Sequence, residues 1–249
     1  MNSVKLDIYP AIEEAETLLE TYTPVQANKF LPEWYKKHST PHRGDESYSN
    51  IEGLTDRVIT TKKCPAIQET VNTGVIIPAW TDIYIEKKGD IYNWYAHWKG
   101  AVDTIESHNI KQVEGMGLNG IKDWGVLKIM CPYLFITEPG YGLQFFDPFY
   151  HHRRTIRLLP GMVENDIWHQ THFPFEFTSN LDEIENKLMF IKAGEPLIQV
   201  VPYAINKNKI NLSVNKYDEN IYKKNLSSHV VLDTVSSSWQ DYKKIKRKD

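Results

Sequence analysis

The chain has 249 residues, 41% hydrophobic and 12% aromatic, with a formal net charge of −3. That is enough apolar side chain to bury a substantial core in one large domain or two small ones, so the chain is expected to fold unaided. Acidic and basic residues are mixed along most of its length, which gives no electrostatic reason to expect a nucleic-acid groove or an anionic membrane as partner. Cys64 and Cys131 are the only cysteines; they lie far apart and each precedes a proline. They form neither a zinc-type pair nor a disulfide framework, and reduced thiols in a cytosol are expected. The first residues are acidic rather than basic-then-apolar, and no run of about 18 apolar residues occurs. A cytoplasmic protein with no membrane span is the expectation.

Val4, Leu6 and Ile8 alternate with polar neighbours and predict a short edge strand, followed by an acidic, helix-prone stretch from Ala11 to Tyr22. Around Pro32, residues 28–38 offer apolar anchors, and the proline blocks a continuous helix unless it sits in a first turn. Residues 42–54 read as an exposed loop and 56–63 as strand-like. The clearest local signal is a β-hairpin: Ile83 and Ile85 alternate with Asp82, Tyr84 and Glu86, a Lys88-Gly89-Asp90 turn follows, and Tyr92, Trp94, Ala96 and Trp98 supply an aromatic inner face.

Beyond a glycine-containing passage, Tyr133 to Thr137 and Tyr141 to Phe146 predict two strands joined by Glu138-Pro139-Gly140. Further strands are placed at 155–159, 171–177, 188–191, 197–203 and 209–214. Many short strands separated by Pro, Gly, Asn and Asp argue for a mainly β, α+β domain of sandwich or β-clip-like barrel type rather than a βαβ architecture. One β-rich domain over 1–249 is expected, with a helical or loop segment over 11–40 and a C-terminal helix over 228–248.

No G-x-S-x-G elbow or P-loop is present, and neither cysteine has a recognisable partner motif. The segment most able to carry chemistry is 159–177, where Glu164, Asp166, His169 and His172 fall within nine residues. A carboxylate and an imidazole in mutual reach can divide acid and base roles or hold a divalent metal. Glu164 and Asp166 are therefore the catalytic candidates and His169 and His172 the metal-ligand candidates. The alternative is a polar turn with surface histidines flanking a strand. Residues 149–154 place Arg153 and Arg154 beside two histidines, where an Arg pair could grip an anionic ligand; a solvated loop is the plainer reading. Trp168 and Gln199 complete the ligand-contact candidates. The basic tail over 243–248 reads as a frayed helix end.

The segments LPEWYKK (31–37), KKCPAI (62–67), TGVIIPAWTDIYIE (73–86), TEPGYGLQFFDPF (137–149), LPGMVENDIW (159–168) and IKAGEPLIQVVPY (191–203) together resemble a family of uncharacterised proteins of tailed bacteriophages and some bacteria. That resemblance implies a phage or bacterial cytosolic origin. Gly161-Met162-Val163-Glu164, an aromatic strand, and Ala193-Gly194-Glu195 leading into Leu197 to Val201 look like the latter half of dUTPase and dCTP-deaminase chains. Here the resemblance implies a β-clip-like fold. Glu164 stands where those families have aspartate, Ile167 where they have tyrosine, and no Arg-Ser-Ser/Gly motif follows Phe146.

The first functional reading is a non-catalytic binding or accessory protein with a core that can associate into homo-oligomers. The second is a nucleotide-binding or nucleotide-hydrolysing enzyme related to dUTPase, with Glu164 or Asp166 ordering water or a metal and Arg153 or Arg154 on phosphate. The third is a metal-dependent oxygenase or cupin-like enzyme, with iron on His169, His172 and a carboxylate.

Overall fold

The computed structural model describes residues 3–38, 42–43, 57–58, 62, 64–88, 91–96, 103–118, 126–151, 156–178, 188–207 and 212–221. The chain forms two compact units, one of Met1–Phe30 with Thr73–Asn208 and the other of Leu31–Asn72 with Lys209–Asp249. The strands in chain order are β1 (Leu6–Pro10), β2 (Val25–Gln26), β3 (His42–Arg43), β4 (Arg57–Val58), β5 (Val75–Pro78), β6 (Ile83–Lys88), β7 (Ile91–Ala96) and β8 (Ile105–Ser107). They continue as β9 (Leu127–Ile129), β10 (Tyr133–Thr137), β11 (Tyr141–Phe146), β12 (Ile156–Leu158), β13 (Gly161–Val163), β14 (Phe173–Phe177), β15 (Leu188–Ile191) and β16 (Pro196–Ala204). The α-helices that lie wholly within the described residues are short: α1 (Glu16–Thr21), α2 (Glu33–Lys37) and α3 (Pro65–Asn72). The fold is α+β and β-rich.

In the larger unit β13-β11-β16-β5-β2 form a five-stranded sheet, β12-β14-β9-β8 a four-stranded sheet, β15-β6-β7 a three-stranded sheet, and β1 pairs with β10. All the pairings are antiparallel, and among the described residues none of these sheets closes into a barrel. Alternation dictates what lies inside. Tyr133, Phe135 and Thr137 of β10 are buried while Leu134 and Ile136 are only partly so. Phe173, Phe175 and Phe177 of β14 are likewise buried, around Pro174. Phe135, Phe145 and Phe173 meet at ring separations of 5.6, 5.4 and 6.4 Å, joining β10, β11 and β14 in one core. Each such side chain, fully buried, contributes about 1.5–3 kcal/mol.

The hairpin forms with the expected strands, but its aromatic residues occupy both faces. Ile83 and Ile85 point into the core with Trp94 half-buried beside it, while Tyr84 and Tyr95 stack at 4.8 Å on the other face, where Tyr95 is exposed. Pro32 immediately precedes α2, where its carbonyl accepts the Lys36 amide at 3.0 Å, so the helix begins only after it. In the smaller unit Lys62 donates to the carbonyls of Lys36 and His38 at 3.3 and 3.2 Å and sits 5.4 Å from the centre of the Tyr35 ring.

Several expectations need correction. The strand foreseen over 209–214 does not form at 212–214: Leu212 and Val214 are exposed, and no described strand pairs with them to reward their alternation. Conversely, β8, β9 and β13 occupy stretches given no strand. The C-terminal helix over 228–248 lies outside the described residues. Of the strand foreseen over 56–63, residues 57–58 and 62 are described, and 57–58 form β4. Among the described residues no helix is long and apolar enough to cross a membrane.

Candidate functional site

β13 ends at Val163 and the chain turns sharply before running back toward β14. The Glu164 carbonyl closes this turn by accepting the amides of Ile167 at 3.1 Å and Trp168 at 2.9 Å. Asparagine is suited to the turn's second position because its short amide can replace missing backbone bonds. Asn165 is fully buried, and its Nδ2 donates to the Trp168 carbonyl at 3.1 Å and to the Thr171 hydroxyl at 3.5 Å. Its backbone carbonyl accepts the Thr137 amide at 3.4 Å, and further along Phe135 donates to the His169 carbonyl at 2.9 Å. The turn is thereby fastened to β10.

A second fastening comes from Asp166, whose Oδ2 accepts the Gly140 amide at 2.8 Å. Gly140 stands in the Glu138–Tyr141 turn, closed by the Tyr141 amide donating to the Glu138 carbonyl at 3.2 Å. Its φ of +84°, after a proline, is the pattern of a type II turn, where glycine avoids the cost of a Cβ. Two turns therefore brace one another through a carboxylate. Their side chains at the tip face solvent: Ile167 is 74% exposed and Trp168 66%, with Met162 of β13 also exposed.

Sequence reasoning missed Tyr203, which joins this site from β16. Tyr203 stands opposite Gly142 of β11, and a Cβ placed on Gly142 would lie 2.7 Å from the Tyr203 ring and 2.5 Å from the Val163 carbonyl oxygen. The ring fills the space that a side chain there would need. Burial first, and then the negative charges of Glu164 and Asp166, push the Tyr203 phenol above its ordinary value. Tyr203 therefore keeps its proton at neutral pH. Glu164 is exposed, and among the described residues neither Glu164 nor Asp166 makes an ion pair.

Glu164, Asp166 and Trp168 thus lie in one turn, and the other described candidates make contacts of their own. His172 is half-buried beyond the turn, where its Nδ1 accepts the Cys131 amide at 3.2 Å. Burial, reinforced by Lys128 and opposed by Glu106, holds its imidazole below the usual value, so the neutral ring is the form that accepts this bond. Burial also raises the Cys131 thiol, which stays protonated. His169 is partly buried and anchors the chain through its carbonyl. Among the described residues no three His, Cys, Asp or Glu side chains converge on a point that could hold a metal ion. Gln199 is 1% exposed; its Oε1 accepts the Phe149 amide at 2.9 Å and its Nε2 donates to the Thr73 carbonyl at 2.7 Å. Four residues of strand, about 13 Å, separate it from Tyr203. Arg153 and Arg154 lie outside the described residues.

No protein-family model matches the sequence. No curated protein matches it either. Among solved structures, the dUTPase of Staphylococcus bacteriophage 80alpha is similar in chain trace over 86% of this chain and 98% of that one, at 9% identity and a TM-score of 0.34. A point mutant of the same enzyme aligns over 86% and 98% at 10% identity and a TM-score of 0.36. A triple mutant with dUpNHpp aligns over 86% and 90%, at 10% identity and a TM-score of 0.36.

Proposed function

We propose that this chain is a non-catalytic binding or accessory protein and that the 164–168 turn is its contact surface. The observation that carries this reading is the exposure of Ile167 and Trp168 on a turn whose neighbours Asn165 and Asp166 are fixed to β10 and the Gly140 turn. An apolar pair held out in water costs solvation that a partner's surface recovers. Because the backbone is already fixed, binding pays little ordering entropy, which is the benefit of preorganisation. Tryptophan is also among the residues whose truncation in an interface most often costs about 2 kcal/mol or more. The carboxylate of Asp166 serves the backbone, which suits a binding turn better than a proton-transfer site.

A random-peptide display selection on the immobilised full chain, counter-screened with Trp168→Ala, tests this. Selected peptides should lose most of their affinity for the variant. Peptides that bind wild type and Trp168→Ala equally would overturn the reading.

A further inference from the structure

We infer that the segment this turn receives is cationic: an arginine or lysine flanked by apolar side chains, carried on a partner protein. The inference rests on the binding role proposed above and names the partner's chemistry. Glu164 is exposed at the start of the turn and makes no ion pair among the described residues, while Asp166 adds a second negative charge two residues on. Both stand in the one tight turn that the Glu164 carbonyl closes on the Ile167 and Trp168 amides. Trp168, in the same turn, is 66% exposed, and the face of an indole is the preferred seat for a cation.

A guanidinium is the best fit, because it can stack on an aromatic ring while its planar fork donates to a carboxylate. Lysine can pair with Glu164 but offers no flat surface. An exposed ion pair contributes little by itself. The carboxylates therefore select and steer the partner while Ile167 and Trp168 supply the buried area. A phosphate-bearing ligand would meet the exposed Glu164 carboxylate with the charge of Asp166 behind it, and an acidic peptide would be turned away for the same reason.

The test is a fluorescence-anisotropy titration of the full chain against three labelled, end-blocked pentapeptides: leucine alternating with arginine, leucine alternating with glutamate, and serine alternating with arginine. Wild type should bind the leucine–arginine peptide at least about tenfold tighter than either control, with affinity falling as salt rises. Glu164→Gln should weaken it about two- to fivefold and flatten the salt dependence. Trp168→Ala should weaken it about thirtyfold, with an unchanged circular-dichroism melt showing that the variant is folded. Equal binding of the arginine and glutamate peptides, still abolished by Trp168→Ala, would overturn the cationic partner and leave the docking role standing. If Trp168→Ala alters binding of no peptide, both fail together.

Discussion

Gln199 was expected to contact a ligand, yet its amide spans two backbone groups in the interior, so its replacement should register as lost stability. In Gln199→Leu the Thr73 carbonyl and the Phe149 amide both lose their partner. A stranded buried group costs about 1–3 kcal/mol. Thr73 and Phe149 are only partly buried, so water can recover some of this, and the added apolar burial of leucine offsets a little more. A net loss of about 2–4 kcal/mol remains, a large share of the roughly 5–15 kcal/mol that holds a domain folded. For a chain of this size that corresponds to a melting point lower by about 4–16 °C. Urea unfolding followed by circular dichroism should show a lower midpoint with an unchanged slope. The nearly isosteric Gln199→Glu should be more stable in acid than at neutral pH. Its buried carboxyl, with a folded pKa raised above the unfolded one, can donate to Thr73 only while protonated, so its contribution is lost as pH rises through the folded value. Stability of Gln199→Leu within about 0.5 kcal/mol of wild type would refute the interior clamp.

Removing the brace between the two turns by Asp166→Ala should cost about 1–3 kcal/mol in urea unfolding, whereas Asp166→Asn, which keeps an acceptor for Gly140, should cost less. Gly142→Ala forces a Cβ against the Tyr203 ring and the Val163 carbonyl. It should lower stability by about 1–3 kcal/mol, and the paired Gly142→Ala, Tyr203→Ala variant should recover part of that loss. For His172 the folded pKa lies below the unfolded value, so its contribution is intact above about pH 6.5 and is lost as pH falls through the folded value. Wild type should therefore lose urea stability between about pH 6.5 and 5 more steeply than His172→Gln, which has no charge to gain. Parallel slopes would contradict this.

The aromatic and β-branched strands were legible from their composition and from the turn residues that bound them. β10 and β11 fall on the residues that their aromatic, apolar runs and the Glu138-Pro139-Gly140 turn mark out. β8, β9 and β13 were not legible: each has three residues, too few to establish a period, and each is held by pairing with a partner distant in sequence. The segment around Glu164 stood out by its density of polar groups, and its residues 164–168 form one turn. The role of Asp166 as a brace could not be read, since its partner Gly140 is 26 residues away. Tyr203 carried no local signal, because only the register of β11 against β16 sets its ring over Gly142. His169 and His172 have a helix-like spacing, but the segment that carries them is not helical.

The most direct test of the binding role is hydrogen exchange on the full chain with and without a display-selected peptide. Added protection is expected at the amides of residues 164–168 and in the neighbouring 138–141 turn. Protection confined to another segment, with the Ile167 and Trp168 amides unchanged, would contradict it.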